Sequence, residues 1–579
     1  MLRTQAVVPA QRNGHESAPD GSTPDAAPYV RHWLHSALTL AAIMGLAVGS
    51  RALWTSYALT RPGFAVMISL CYLVMLVAAV LTLCVRSTAA LVRIDVTVLV
   101  AAIALKGMAL WPSVIGERKI VVDEGMLMDE ATRALAVGRN PYLLSWPQID
   151  PSLPTQLMNG GTAHDFGYPA FGIEMGAALQ RLVPSLTGIA AISCLALLAT
   201  AIIAFCVAPA PLRPLATLGV LGIGTLTSYA ENAYPSMIAL PFLCLAVWKW
   251  PSIGQGGRLG WGGAVRAVAL GLALATHQLG WFLAVFLFVG LAMIRRGELP
   301  LRTTAGVLLR YTALAATPFA LANLPFLIHA PGAWLHGITE PLTQHAVPHG
   351  QGIMGISQYL LGGSGALDFY GYASILLLLG MLAAFAVHLP WLGRAAVVLP
   401  WLLFMVSTRS QDGYFLLTMP LWIVGFGTTT AADFAGAYRF KVPGRLAPVR
   451  LVRAPGRTAG TLATIALFVP AAVCVVVAIA TPQPLELRVA GNAAPGQAIR
   501  SLTVQATNRS SRAITPHFAV TTGVTISRFW RVAAGPPTIA PGSTAAYTLV
   551  PPTSTWKATD TDVLRVVSDG PQTLSSQRL

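Results

Sequence analysis

Charge is what this sequence has least of. Asp, Glu, Lys and Arg make up 10% of its 579 residues, against 55% apolar residues. That excludes an ordinary soluble domain, and many apolar runs reach the ~20 residues that cross a bilayer. Cysteine is scarce too: Cys71, Cys84, Cys194, Cys206, Cys244 and Cys474 all lie in apolar runs. Neither a disulfide framework nor a CxxC metal site is available, and the six read as small core residues. The first 30 or so residues lack the apolar stretch of a signal peptide and are polar and rich in Pro, Gly and Ser, so residues 1–33 are expected to be a disordered cytoplasmic tail. No repeat of solenoid type is present.

What remains is a polytopic α-helical membrane protein. Spans are expected over 34–50, 64–85, 94–114, 187–208, 214–230, 235–250, 264–276, 279–294, 304–328, 372–389, 395–408, 414–428 and 459–481, about thirteen transmembrane segments or partial crossings within a domain of residues 34–482. A net charge of +16 would suggest nucleic acid in a soluble protein. Here the basic residues fall in short loops on one side, so no nucleic-acid partner is expected. The loop holding Arg439, Lys441, Arg445, Arg450, Arg453 and Arg457 fixes the orientation: multi-pass in the plasma membrane, amino terminus cytoplasmic, with loops 115–186 and 329–371 and residues 483–579 exported. In that last stretch short alternating runs such as LELRVAG, SLTVQAT and VLRVVS stand between Gly, Pro, Asn and Ser turns, the pattern of a small C-terminal all-β sandwich domain.

Acidic residues number 22, and eight of them lie between Glu117 and Glu174. In this first exported loop Leu127, Ala131, Ala134, Leu135 and Gly138 recur at helical spacing, predicting an amphipathic surface helix stopped by Gly138 and Pro141. Asp123 and Glu124 stand just before its start, where two carboxylates meet the water–lipid boundary. Asp129 is better explained as the i, i+4 partner of Arg133, and capping is the bland alternative for Asp123.

An Asp-Glu pair, an amphipathic helix and then Gly-x-Asn-Pro-Tyr (residues 138–142) resemble the first loop of the GT-C integral-membrane glycosyltransferases. The resemblance continues in order over roughly residues 94 to 430. HDFGYPAFGIEMGAAL (164–179) is similar to the family's Tyr-Pro lead into a helix, and AENAYPSMIALPFL (230–243) to a short exported turn. GLALATHQLGWFLAVFLF (271–288) resembles a helical hairpin with Lys-Gln at its turn, replaced here by His277 and Gln278. STRSQDGYFLLTMPLW (407–422) is similar to a late exported Arg–Tyr turn. The resemblance implies transfer of a sugar, mannose or arabinofuranose first, from a polyprenyl-phosphate-linked sugar donor to an envelope glycan, glycolipid or protein acceptor by inverting displacement. It implies Asp123 and Glu124 as catalytic residues with Asp123 the general base, Arg409 and His277 as donor-phosphate ligands, and Asp165, Tyr168 and Tyr142 as substrate-binding residues. No cofactor is implied, and the metal requirement stays open. His329, His336, His345 and His349 lack the HExxH arrangement, so a loop closing over the acceptor is the preferred reading and no metal ligand is assigned. Trp530 and Trp556 are expected in the sandwich core. The alternatives from other classes are a transporter or lipid-carrier flippase of envelope precursors, which would carry its charges inside the spans, and a noncatalytic envelope scaffold.

Overall fold

The computed structural model describes residues 26–149, 154–439, 464–490, 496–523, 525–553 and 555–579. The molecule is mostly helical, 61%, with a C-terminal β-sheet region. Among the described residues seven helices are long and apolar enough to cross a membrane: His32–Gly49, Pro62–Cys84, Thr88–Val114, Gly188–Val207, Leu279–Glu298, Leu301–His329 and Asp368–Val387. The count rises to nine if each of two sharply bent pairs is one span: Gly224–Glu231 with Pro235–Val247 at 119°, and Leu389–Val397 with Leu399–Val406 at 72°. The other expected crossings are shorter or broken, and the sequence gives the reason. Gly222 ends a π turn over Leu218–Gly222 and Gly224 opens the next helix, Pro235 opens the second arm of its pair, and Pro400 and Pro420 start 3₁₀ and short α segments.

The helices share one core running from Leu46 and Ile68 through Leu197 and Leu243 to Phe385 and Leu421. Within it Asp95, buried in the helix Thr88–Val114 rather than at its edge, bonds His35 Nε2 at 2.6 Å and accepts from Thr39 Oγ1 at 2.7 Å, tying the first and third spans together. Residues 1–25 and five of the six basic residues expected in the last inside loop, Lys441, Arg445, Arg450, Arg453 and Arg457, lie outside the described residues. The first helix begins at Ala26, so eight residues of the expected tail are helical.

After Pro482 the chain changes to two four-stranded antiparallel sheets. Leu502–Asn508 alternates buried and exposed residues in the period-2 manner of a half-buried strand. Leu487, Val504 and Leu549 from one sheet and Phe518, Val520, Leu564 and Val566 from the other share a core with Trp530, and Trp556 donates Nε1–H to Asp562 at 2.9 Å. This region is docked on the helical part: Leu574 and Ser364 exchange two backbone hydrogen bonds, and buried Arg565 donates to the carbonyl of Gln358. Met158, Val347, Met354, Leu367, Val567 and Leu574 fill the seam.

Candidate functional site

The surface helix forms over Asp123–Ala136, with Leu127, Met128, Ala131 and Ala134 buried and Gly138 in the left-handed region (φ 80°) where it stops. Its start is pressed against the turn at Asn232. A Cβ on Gly125 would come within 1.9 Å of the Asn232 carbonyl oxygen, so only glycine allows this approach. Arg118 pairs with Glu231 at 2.5 Å, and Val121 N donates to Asn232 Oδ1 at 3.2 Å, holding the same junction. Asp129 pairs with Arg133 at 2.6 Å, as its spacing predicts.

Asp123 and Glu124 thereby face a cavity of about 580 Å³. Both oxygens of Asp123 are engaged by backbone N–H groups, Oδ1 by Glu124 at 2.8 Å and Oδ2 by Thr155 at 2.6 Å. Glu124 is half-buried on the cavity wall and not turned aside as its adjacency to Asp123 would suggest. Enclosure by protein, then the neighbouring Asp123 charge, push its carboxyl up to about 7, while Arg409 and the Tyr168 hydroxyl pull the other way. Arg409 lines the same cavity. Its backbone pairs in parallel with His349, and Gly350 (φ 119°) lets the two short strands close, since a Cβ there would come within 2.1 Å of the Ser410 carbonyl oxygen. Among the described residues the Arg409 guanidinium forms no ion pair, and its charge acts on Glu124.

Asp165 and Tyr168 also reach the cavity. His277 and Tyr142 do not. His277 is buried and stacked on the far side of Tyr168 (ring centroids 5.4 Å), its Nδ1 accepts from Leu279 N at 3.0 Å, and burial lowers its pKa to about 3. His277 therefore stands off the wall that carries Arg409. Its neighbour Gln278 is a clamp instead, with Nε2 donating to the carbonyls of Gly167 (2.8 Å) and Ile338 (2.9 Å). Tyr142 packs between Phe166 and Phe326, and its hydroxyl donates to the Tyr168 carbonyl at 2.6 Å, so it supports Tyr168 from behind.

Sequence reasoning missed Glu340, Asp368, Tyr414 and Gln572, all on the cavity wall. A signal was present for two of them: Glu340 and Asp368 are the only acids in residues 329–371, the second loop expected to be exported. Residues 331–343 of that loop are a helix rather than a loose segment, and His345 bonds Asp569 of the sheet region at 2.8 Å. Among the described residues no group of three or more His, Cys, Asp or Glu side chains is arranged to hold a metal ion. Thr155, Gln344, Ser374, Ser407 and Thr408 add polar groups to the wall, and much of the remainder is apolar. Phe282, Ile375, Leu378, Leu403 and Phe404 carry the cavity down between the spans, and Ile375 and Tyr372 are exposed on the flank of the helix Asp368–Val387. The arrangement suits an amphipathic molecule with an anionic head near Arg409 and a hydrocarbon tail running between helices. Comparison with protein-family models, with curated proteins and with solved structures finds no match for this chain.

Proposed function

We propose that the chain is a GT-C-type glycosyltransferase that moves a sugar, mannose or arabinofuranose first, from a polyprenyl-phosphate carrier to an exported envelope glycan, glycolipid or protein. The observation that carries this reading is the cavity that joins a carboxyl pair, an arginine with no ion pair among the described residues, and an apolar cleft between helices. Arg409 takes the carrier phosphate, its planar fork matching two oxygens, and the polyprenyl chain runs past Phe282 and Leu378. The leaving group departs as a phosphate without a strong acid, so one base that removes the acceptor hydroxyl proton is enough.

In this reading Glu124 is that base. Its proton affinity near neutrality matches the working pH, which is where general bases are most effective, whereas the Asp123 oxygens are already occupied by N–H donors and orient the helix start. Tyr168 and Tyr414 close the wall around the sugar. In this reading the arms of the bent pairs, the shorter apolar helices Gly260–Leu274 and Val469–Ala480 and the short helical pieces over 414–428 are the remaining crossings or partial crossings, the amino terminus lies inside, and the two sheets form a sandwich over the exported face. The purified full chain in lipid nanodiscs, given radiolabelled undecaprenyl-phosphate mannose or arabinofuranose and envelope polysaccharide from a strain lacking the protein, is expected to transfer label to the polysaccharide. Transfer from neither donor, with translocation of either lipid between leaflets, would replace this reading with the flippase one.

A further inference from the structure

The cavity holds a second carboxyl pair that the proposed chemistry does not use. Glu340 lies in the helix Pro331–Thr343 and is only 8% exposed, yet its carboxyl lines the cavity and has no hydrogen-bond or ion-pair partner among the described residues. A buried carboxyl without a partner is costly, and proteins keep one where a ligand supplies what is missing. Its position is fixed from several sides. The Gln278 clamp holds Ile338, two residues earlier, and Gly337 packs so closely that a Cβ there would come within 2.7 Å of the Phe166 carbonyl oxygen. Gly167 leaves just enough room, since a Cβ on it would lie 3.3 Å from Glu340 Oε2. Asp165 is the charge that Glu340 senses, and burial together with that charge pushes the Glu340 carboxyl up to about 7.

A Glu340 carboxyl pushed up toward neutrality beside a second acidic side chain can both donate and accept hydrogen bonds. It repels a phosphate, so the donor head is directed to Arg409, and a neutral polyol fits it better than an anion does. Asp368, His345 and Gln572, the last from the sheet region, line the same cavity. We propose that Glu340, with Asp165, is a specificity-determining residue that binds neighbouring hydroxyls of the acceptor sugar. This rests on the glycosyltransferase reading above.

The test uses the purified full chain in nanodiscs with the labelled donors and the polysaccharide described above, and separates transfer to polysaccharide from hydrolysis of the donor by water. Glu340→Ala is expected to raise the KM for polysaccharide about tenfold or more while donor hydrolysis stays within twofold of wild type, because a site built to hydrogen-bond hydroxyls loses its partner. Glu340→Gln, of the same size, is expected to raise it about threefold, and it carries the test if the alanine variant does not fold. An unchanged KM in both variants, with wild type active, overturns the acceptor role and leaves the glycosyltransferase standing. Equal loss of donor hydrolysis and transfer also overturns it, by placing Glu340 on the donor. No transfer by wild type removes the glycosyltransferase reading itself.

Discussion

At the scale of single residues the site is defined by carboxyls kept away from water. Glu124 has a folded-state pKa of about 7, above the ordinary 4.5, so the folded protein favours its neutral form. The stability this group contributes is therefore fully present below about pH 4.5 and is lost as pH rises through about 7. Glu124→Gln removes that loss. Relative to wild type, the variant is expected to be equal in Tm at pH 4.5 and higher by roughly 2–4 °C at pH 8. A wild-type Tm that falls no more than the variant's between those pH values would mean that Glu124 is not enclosed as described. Such a gain in stability from removing a side chain is the mark of a group retained for chemistry. Asp129, by contrast, is the ordinary helix-face ion pair that its spacing to Arg133 announced.

At the scale of elements, what positions the carboxyl pair is the contact between the surface helix and the Asn232 turn. Gly125→Ala forces a Cβ against the Asn232 carbonyl, and the helix start must back away, taking Asp123 and Glu124 with it. Misplacement by about 1 Å costs on the order of 10²-fold in rate. We expect transfer to fall by that order while the protein stays monodisperse and still binds labelled donor; undiminished transfer would show that the contact does not set the geometry. This helix was legible in sequence, from Leu127, Ala131 and Ala134 at helical spacing to the stop at Gly138, because a surface helix must be amphipathic. The helix Pro331–Thr343 was not, since Pro331, Gly332, Gly337 and Pro341 mask its periodicity and it is held by tertiary contacts such as Gln278 to Ile338. The position of His277 was not legible for a related reason: residue type suggested a place beside the donor phosphate, whereas the ring's stacking on Tyr168, off the cavity wall, depends on packing that spacing does not encode.

At the scale of the whole molecule, apolar run lengths located the seven long helices, with ends displaced by up to six residues, because a run of that length has one use. They did not show how proline and glycine bend the rest. The alternating runs after Pro484 gave strands, but nothing in them indicated that Leu574 would pair with Ser364 or that Gln572 would reach the cavity. Orientation rests on the basic residues, which are costly to translocate. In a cysteine-free background, single cysteines at 139 and 544 should label from outside intact cells and one at 445 should not. Labelling at 445 alone would invert the topology and put the cavity on the wrong side of the membrane for an exported acceptor.

The central claim is that Glu124 takes the acceptor proton at a cavity where Arg409 holds the carrier phosphate. Single-turnover sugar transfer by wild type, Glu124→Gln and Asp123→Asn, with donor binding measured separately, tests it most directly. The account predicts that Glu124→Gln binds donor normally and loses at least about 10² in turnover, that Asp123→Asn loses less, and that wild-type kcat/KM rises with pH through about 7. Near-wild-type turnover in Glu124→Gln with Asp123→Asn inactive would move the base to Asp123, and full activity in both variants would contradict the mechanism altogether.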